Sequence, residues 1–239
     1  MIVEYLSDNE KLVDEINNID KDAWPVFLTK DTIVKKHWKS LYTKYQEYQL
    51  LLKIEDEYVG VGNSVPIYWN EKIDGLPIGF DEVLENVFKD NRKRNTLCGL
   101  AAITSKNHLG KGISYKIIDE FKKLAKTKGF SNLILPVRPT LKSKYPTISM
   151  KNYIKWEKNA LPFDPWIRVH IKSGGKILKI ANPSMTITGT IADWEKWTDM
   201  YFGESGQYII PGALNPVTIN LEKNTGKYIE PNVWILHKC

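Results

Sequence analysis

The chain has 239 residues, of which 42% are hydrophobic, and it carries 34 lysines and arginines against 28 aspartates and glutamates, a net charge of +6. This composition predicts a folded protein with an ordinary buried core and argues against disorder. The two cysteines, Cys98 and Cys239, are too few for a disulfide framework or a cysteine-based zinc site, and no apolar stretch reaches the length of a membrane span. We therefore expect a cytoplasmic protein with no membrane partner.

The first part of the chain shows both helical and strand patterns. Apolar residues at helical spacing predict an amphipathic helix over 9–19 and an aromatic-rich second helix over 37–49. Strand-type runs at 50–54 and 58–65 predict an antiparallel hairpin, and a further helix is predicted over 80–88. No internal repeat or low-complexity tract is present, which indicates one domain.

The most informative pattern is a predicted βαβ unit in the middle of the chain. An apolar run over 97–104 predicts a buried strand, and the polar loop 107–112 follows it. The next segment, 113–126, places its apolar residues on one helical face, and Gly129 stands where a left-handed helix cap belongs. A second buried strand is predicted at 133–135. The loop therefore lies at the N-terminus of the crossover helix.

That placement gives the loop a chemical meaning. The first amides of a helix have no intrahelical partners and carry partial positive charge, so they form an anion site when the chain lets phosphate oxygens approach. Gly110 and Gly112 remove obstructing side chains, and Lys111 adds a positive charge. The alternative to an anion site is a tight turn that only connects the strand to the helix. The glycines fit neither a Walker A loop nor a three-glycine dinucleotide fingerprint.

The loop resembles the signature of the GNAT superfamily of acyl-CoA-dependent N-acyltransferases. The family pattern Q/R-x-x-G-x-G/A aligns with Leu109-Gly110-Lys111-Gly112-Ile113-Ser114, with departures at Leu109 and Ser114. In that family the pyrophosphate is held chiefly by backbone amides. Three later segments look like a less characterised bacterial branch of the family: Pro136-Val137-Arg138-Pro139, Pro162-Phe163-Asp164-Pro165-Trp166 and Glu230-Pro231-Asn232-Val233-Trp234.

The resemblance implies a mixed α/β fold, with a central twisted mixed sheet flanked by helices. It implies one acyltransferase domain over 1–239, with an N-terminal helical extension and an enlarged C-terminal part. Acetyl-CoA would be the acyl donor, and the acceptor would be an amine of a small molecule or peptide. The predicted CoA-binding residues are Ile103, Thr104, Leu109, Gly110, Lys111, Gly112, Ile113 and Ser114. The extra segment 140–161 and the C-terminal third are expected to shape the acceptor pocket.

His170 is the first candidate for the proton transfer that acyl transfer needs. Asp164 and Pro165 predict a helix start, and His170 precedes Gly174 by four residues, the place where many GNAT enzymes carry a proton-donating tyrosine. Its reference pKa of about 6.5 suits proton exchange near neutrality. The alternative is a structural histidine bonded to backbone. Two tyrosines are further candidates for this role: Tyr145 and Tyr153.

Glu230 is the first candidate for amine binding or general-base catalysis. Strand alternation places Tyr228, Glu230, Asn232 and Trp234 on one face of a C-terminal strand and His237 on the other. The alternative is a hydrogen bond at the strand end. Weaker candidates for the base are Glu204, Tyr208 and His237. No metal site is expected, because the four histidines are scattered.

Two other functional classes remain open from the sequence. A non-catalytic sensor or scaffold with a CoA site is possible because the signature strand lacks a carboxylate and Leu109 departs from the signature. A nucleic-acid-associated protein would exploit the positive charge and the aromatic residues, but lysine and glutamate are interspersed along the chain. We therefore expect no nucleic-acid partner, and the oligomeric state is left open.

Overall fold

The computed structural model describes residues 1–21 and 23–239. The strands among these residues are β1 (Ile2–Tyr5), β2 (Gln49–Ile54), β3 (Glu57–Ile67), β4 (Thr96–Thr104), β5 (Asn132–Val137), β6 (Glu157–Lys158), β7 (Leu161–Pro162), β8 (Lys176–Gly189), β9 (Gly206–Tyr208), β10 (Val217–Asn220) and β11 (Thr225–Lys238). The helices are α1 (Leu12–Asp20), α2 (Thr32–Lys44), α3 (Phe80–Asn86), α4 (Ile113–Thr127), α5 (Met150–Tyr153), α6 (Pro165–Lys172) and α7 (Ile191–Thr198). None of them is both long and apolar enough to cross a membrane.

A nine-stranded mixed sheet forms the centre of the molecule. Its strands follow the order β1-β2-β3-β4-β5-β11-β10-β9, and β8 pairs with β11. The pair β4–β5 is parallel and the remaining pairs are antiparallel. One edge of the long strand β11 pairs with β8, while its other edge pairs with β10 near its start and with β5 near its end. The predicted mixed α/β class with a central mixed sheet is therefore confirmed.

Strand alternation sends side chains to two separate cores, one on each face of the sheet. On β11, Tyr228 and Trp234 join a core with α1, α2, α3 and α7, whereas Val233 and Ile235 join a core with α4, α5 and α6. The two cores are called the N-terminal core and the C-terminal core here, after the helices α1 and α6 that they contain. The predicted facing of Tyr228, Trp234 and His237 is confirmed.

Capping residues explain where the helices begin. Asp31 caps α2 by accepting hydrogen bonds from Ile33 N and Val34 N, so this helix begins five residues before the predicted start at 37. Asp164 caps α6 in the same way, with Pro165 in its first turn as predicted. The hairpin, α3, β4, α4 and β5 all form within a few residues of their predicted positions.

Candidate active site

The centre of the site is a gap between two parallel strands. β4 and β5 pair only through Thr96–Cys98 and then separate. Near the point of separation β4 carries a register shift against β3, where Asn63 pairs with Ala101 and Ser64 with Gly99. Leu100 is therefore the extra residue of a bulge, which bends the strand away from its neighbour. The backbone of β4 beyond Cys98 is thereby open to a ligand.

This gap is part of a cleft of about 690 Å³. Its walls are residues 99–104 of β4, residues 135–137 of β5 and the following Arg138, and α6 contributes Trp166 and Val169. One end of the cleft reaches the glycine loop before α4, and the other reaches Trp24 near the end of α1. The cleft therefore runs from a helix N-terminus to the N-terminal core side of the sheet.

The loop end of the cleft has the geometry of an anion site. Gly110 and Gly112 adopt left-handed backbone angles, with φ values of 77° and 80°, and an added Cβ at either would meet no atom within 4 Å. The N–H groups of Gly112, Ile113 and Ser114 donate to no acceptor among the described residues. Unpaired amides at the start of a 15-residue helix suit a pyrophosphate.

Most of the predicted CoA-binding residues line this cleft. They are Ile103, Thr104, Leu109, Gly110, Gly112, Ile113 and Ser114. Lys111 is exposed and does not line the cleft. Lys106 and His108, which were not predicted, also face it. A basic residue just before the glycines is the signal that could have identified them.

A second pocket, of about 200 Å³, lies on the N-terminal core side of the same gap. We call it the acceptor pocket, after the role that is proposed for it below, and its walls are Asp20, Trp24, Leu28, Thr29, Val34, Trp38, Phe80, Leu100, Ala101, Pro136, Arg138, Met185, Glu230 and Asn232. Five of these residues also line the cleft: Trp24, Leu100, Ala101, Pro136 and Arg138. The two cavities therefore meet where β4 and β5 separate.

Glu230 lies in the wall of the acceptor pocket and is held by three side chains. Its Oε1 accepts hydrogen bonds from Arg138 Nε at 2.8 Å and Asn232 Nδ2 at 3.4 Å, and its Oε2 accepts one from the Tyr228 hydroxyl at 2.8 Å. The Glu230 side chain is 1% exposed. Arg138 also donates to the carbonyl of Gly212 at 2.6 Å. Both carboxylate oxygens of Glu230 are thus engaged in a buried ion pair and hydrogen-bond network.

Other carboxylates lie beside the acceptor pocket. Asp81 accepts a hydrogen bond from Thr186 N through Oδ2, but its buried Oδ1 has no partner among residues 1–21 and 23–239. Asp31 is 1% exposed, and its buried Oδ2 also has no hydrogen-bond partner among the described residues. Burial, together with the nearby charge of Asp31, raises the pKa of Asp81 to about 7. Neither Asp31 nor Asp81 lines the acceptor pocket itself.

The structure does not bring His170 to the cleft. His170 is 0% exposed and lies on the side of α6 that faces β11, where its Nδ1 shares a 2.9 Å hydrogen bond with Nε2 of His237. Its neighbours Trp166 and Val169 line the cleft instead. Burial and the adjacent His237 hold the pKa of His170 well below its usual range, so the imidazole is neutral at pH 7. The proton-transfer role expected for His170 therefore has no support in this geometry, because its imidazole lies behind the cleft wall.

The remaining candidate bases and acids also lie outside both cavities. Tyr153 donates its hydroxyl proton to Asp164 at 2.9 Å, and Tyr145 packs in the same aromatic cluster. Tyr208 donates to the carbonyl of Glu204 at an exposed turn. No residue of segment 140–161 lines the acceptor pocket, whose walls come from Asp20, from residues within 24–38 and from parts of α3, β4, β5, β8 and β11. The expectation that this segment shapes the acceptor site therefore stays a prediction.

Comparison with known proteins agrees with the fold. No family model matches the chain. The arginine N-acetyltransferase avaD of Aspergillus versicolor is 31% identical over 248 residues, a match that covers 90% of this chain and 84% of avaD.

Two solved structures share the fold at low sequence identity. The loading GNATL domain of CurA from Lyngbya majuscula superposes with a TM-score of 0.64 at 16% identity, and the match covers 99% of this chain and 96% of that domain. The GphF GNAT-like decarboxylase in complex with isobutyryl-CoA superposes with a TM-score of 0.59 at 12% identity, covering 100% and 99% of the two chains. The chain belongs to the GNAT superfamily, as an N-acetyltransferase that moves an acetyl group from acetyl-CoA to an amine.

Proposed function

We propose that this enzyme acetylates an amine of arginine, or of a closely similar cationic molecule. Acetyl-CoA would lie in the cleft between β4 and β5, and the acceptor would enter from the opposite face of the sheet. The observation that carries the proposal is the meeting of two cavities at the gap, one ending in an anion site and the other lined by aromatic rings and carboxylates. A donor and an acceptor bound on opposite faces would meet there.

The donor side is supported by the backbone of the glycine loop. The free N–H groups of Gly112, Ile113 and Ser114 would bind the pyrophosphate, and the unpaired edge of β4 near Ile103 and Thr104 would pair with the pantetheine arm. Leu109 can stand where the family carries Gln or Arg because these contacts come from main-chain atoms.

The acceptor side is supported by charge and aromatic surface. Trp24 and Trp38 line the pocket, and the faces of aromatic rings attract a guanidinium or ammonium group. Asp20 and Glu230 lie in the wall, and Arg138 is the one basic side chain among the pocket residues of the described chain. The relative avaD is named an arginine N-acetyltransferase, and arginine belongs to the class of cationic acceptors proposed here.

The geometry supports direct transfer. Bringing a bound amine and a thioester together at the gap replaces a bimolecular encounter by an oriented one, which lowers the entropic part of the barrier. The buried walls formed by Leu100, Pro136 and Met185 exclude water, which reduces hydrolysis of the thioester.

The test is a comparison of arginine with citrulline, its uncharged analogue of nearly the same shape. Thiol release from acetyl-CoA and mass spectrometry of the product would be measured for both acceptors, with lysine as a second cation. We expect kcat/KM for arginine to exceed that for citrulline at least tenfold. Equal values for the two acceptors, or tight acetyl-CoA binding with no transfer to arginine, would overturn the proposal; the second result would favour a CoA sensor.

A further inference from the structure

Two carboxylates line the acceptor pocket, and the structure places them in different environments. Glu230 has both oxygens occupied by Arg138, Asn232 and Tyr228. The side chain of Asp20 makes a single hydrogen bond among the described residues, in which its Oδ1 accepts the indole N–H of Trp24 at 2.7 Å. A proton acceptor needs an oxygen with a free lone pair within reach of the substrate. Of these two carboxylates, Asp20 is the one with an oxygen, Oδ2, that has no partner among the described residues.

Asp20 also lies at the end of the acceptor pocket that meets the CoA cleft. It is the last residue of α1, and it lines the acceptor pocket. Ile19 and Ala23, its close neighbours in the chain, line the CoA cleft, and Trp24 lines both cavities. The hydrogen bond from Trp24 fixes the Asp20 carboxylate beside the ring that stands at their junction. An amine that approaches the thioester at this junction passes the free oxygen of Asp20.

We propose that Asp20 is the general base that removes a proton from the acceptor amine. This inference rests on the proposed function, because it takes a cationic amine as the acceptor.

The proton balance is complete with the two substrates alone. The ammonium of the acceptor gives one proton to a carboxylate oxygen of Asp20, which later releases it to solvent. The neutral nitrogen attacks the thioester carbon, a C–N bond forms and the C–S bond breaks. The second proton leaves the nitrogen as the amide forms and is taken up by the departing thiolate, giving CoA. Nothing is oxidised or reduced in this sequence.

The surroundings of Asp20 favour a carboxylate that accepts a proton near neutral pH. Burial raises its pKa, and the hydrogen bond from Trp24 offsets part of that increase. The charge of Asp20 helps to raise the pKa of Tyr42 on α2. Arg138, which follows β5, and Glu230 on β11 line the same pocket as Asp20. A base with a raised pKa binds the transferred proton more strongly than an exposed aspartate would.

The test is Asp20→Asn, in which the amide oxygen can still accept the Trp24 hydrogen bond. We expect kcat with arginine to fall about 100-fold, as removal of a general base typically does, while the KM for acetyl-CoA stays within threefold. The ascending acid limb of the wild-type pH–kcat profile should disappear in the variant. Asp20→Glu, which keeps the carboxylate, should restore at least part of the lost rate.

The matched control is Asp14→Asn, the same substitution at an exposed position of the same helix. It should leave kcat and the pH profile unchanged. If Asp20→Asn does not fold, Asp20→Ser provides the second variant and the same readouts apply. A folded variant at Asp20 that keeps kcat within threefold, or keeps the acid limb, would overturn the inference. If the wild type transfers no acetyl group to arginine, the proposed function fails first, and the two failures are thus distinguished.

Discussion

The two cavities of the site are built in opposite ways. The CoA cleft is mostly local: β4, the glycine loop, α4 and β5 all lie within residues 96–138, and each follows the previous one in the chain. The acceptor pocket is assembled from six separate parts of the chain, from Asp20 near the start to Asn232 near the end. The residues around the gap between β4 and β5, together with Trp24, belong to both cavities.

The difference shows how one fold can keep its donor and change its acceptor. Main-chain amides and strand edges bind CoA, and these depend little on side-chain identity. Acceptor recognition depends on the side chains of helices and strands that pack on the other face of the sheet. Substitutions in the two regions should therefore have separate effects, and the following predictions test that separation.

The largest effect is expected at the seam between the two cavities. Arg138→Met would leave the buried Glu230 carboxylate without its ion-pair partner, and breaking a buried pair from one side typically costs about 3–5 kcal/mol. We expect the free energy of unfolding, measured with urea at pH 7.5, to fall by about 3 kcal/mol. The double variant Arg138→Met/Glu230→Gln should regain a large part of this loss. If the double variant instead lost the sum of the two single-variant decreases in unfolding free energy, the interaction between Arg138 and Glu230 would be contradicted.

A charge in the glycine loop should abolish donor binding and leave the acceptor pocket intact. Gly112→Asp places a carboxylate at the free amides, and Gly112→Asn is the matched control because both residues tolerate the φ of 80° found there. Calorimetric titration with acetyl-CoA should show at least a 100-fold weaker Kd for Gly112→Asp and less than a tenfold change for Gly112→Asn. Equal weakening in both variants would mean that backbone strain, and not charge at a phosphate site, is responsible.

The same contrast explains what the sequence could predict. The βαβ unit can be predicted from the sequence because Gly110 and Gly112 precede, and Gly129 follows, a helix of strong apolar periodicity. All of these signals lie close together in the chain. Glu230 was found because strand alternation places it on the pocket side of β11. Its engagement by Arg138 was not predicted, because the two residues are 92 positions apart and meet only through the pairing of β11 with β5.

The acceptor pocket could not be located from local patterns. Aromatic residues beside helical apolar positions are usually buried in packing, and local sequence gives no reason to expect otherwise for Trp24 and Trp38. That interpretation holds for Trp194, which is fully buried, but Trp24 and Trp38 face the acceptor pocket. His170 illustrates the opposite limit. Its spacing before Gly174 matched a family pattern, yet the facing of an eight-residue helix on the sheet decides which side chains reach the cleft.

A moderate effect of pH is expected from the histidine pair behind the cleft. Burial and the charge of Lys122 together lower the pKa of His237 to about 4, against the opposing effects of a backbone contact at Ser173 and the charge of Asp119. Burial and the adjacent His237 lower the pKa of His170 as well. Because the unfolded chain binds these protons below a pH of about 6.5 and the folded chain does not, stability must fall as the pH decreases from 6.5 towards 4. We expect the free energy of unfolding, measured with urea, to be lower at pH 5 than at pH 7 by about 2 kcal/mol for each histidine that stays neutral in the folded chain.

The variant His237→Gln tests the origin of this pH dependence. Glutamine keeps a polar partner for Nδ1 of His170 but does not titrate, so the decrease in unfolding free energy between pH 7 and pH 5 should be smaller than in the wild type. At pH 7 the kcat with arginine should stay close to that of the wild type, since neither His170 nor His237 lines the CoA cleft or the acceptor pocket. A large loss of kcat at pH 7 in a folded variant would restore a catalytic role for this pair.

The smallest effect is expected in the acceptor pocket. Trp38 offers its ring to the pocket, stacks against Phe80 with ring centroids 6.2 Å apart and donates its indole N–H to Tyr42 at 3.0 Å. Trp38→Leu removes a surface worth about 0.5–1 kcal/mol to a bound cation. The KM for arginine should therefore rise about fivefold, while the KM for acetyl-CoA stays unchanged. Trp197→Leu, on α7 and outside both cavities, is the matched control and should change neither constant. A parallel rise in both KM values for Trp38→Leu would show that the two cavities are coupled through more than the gap between β4 and β5.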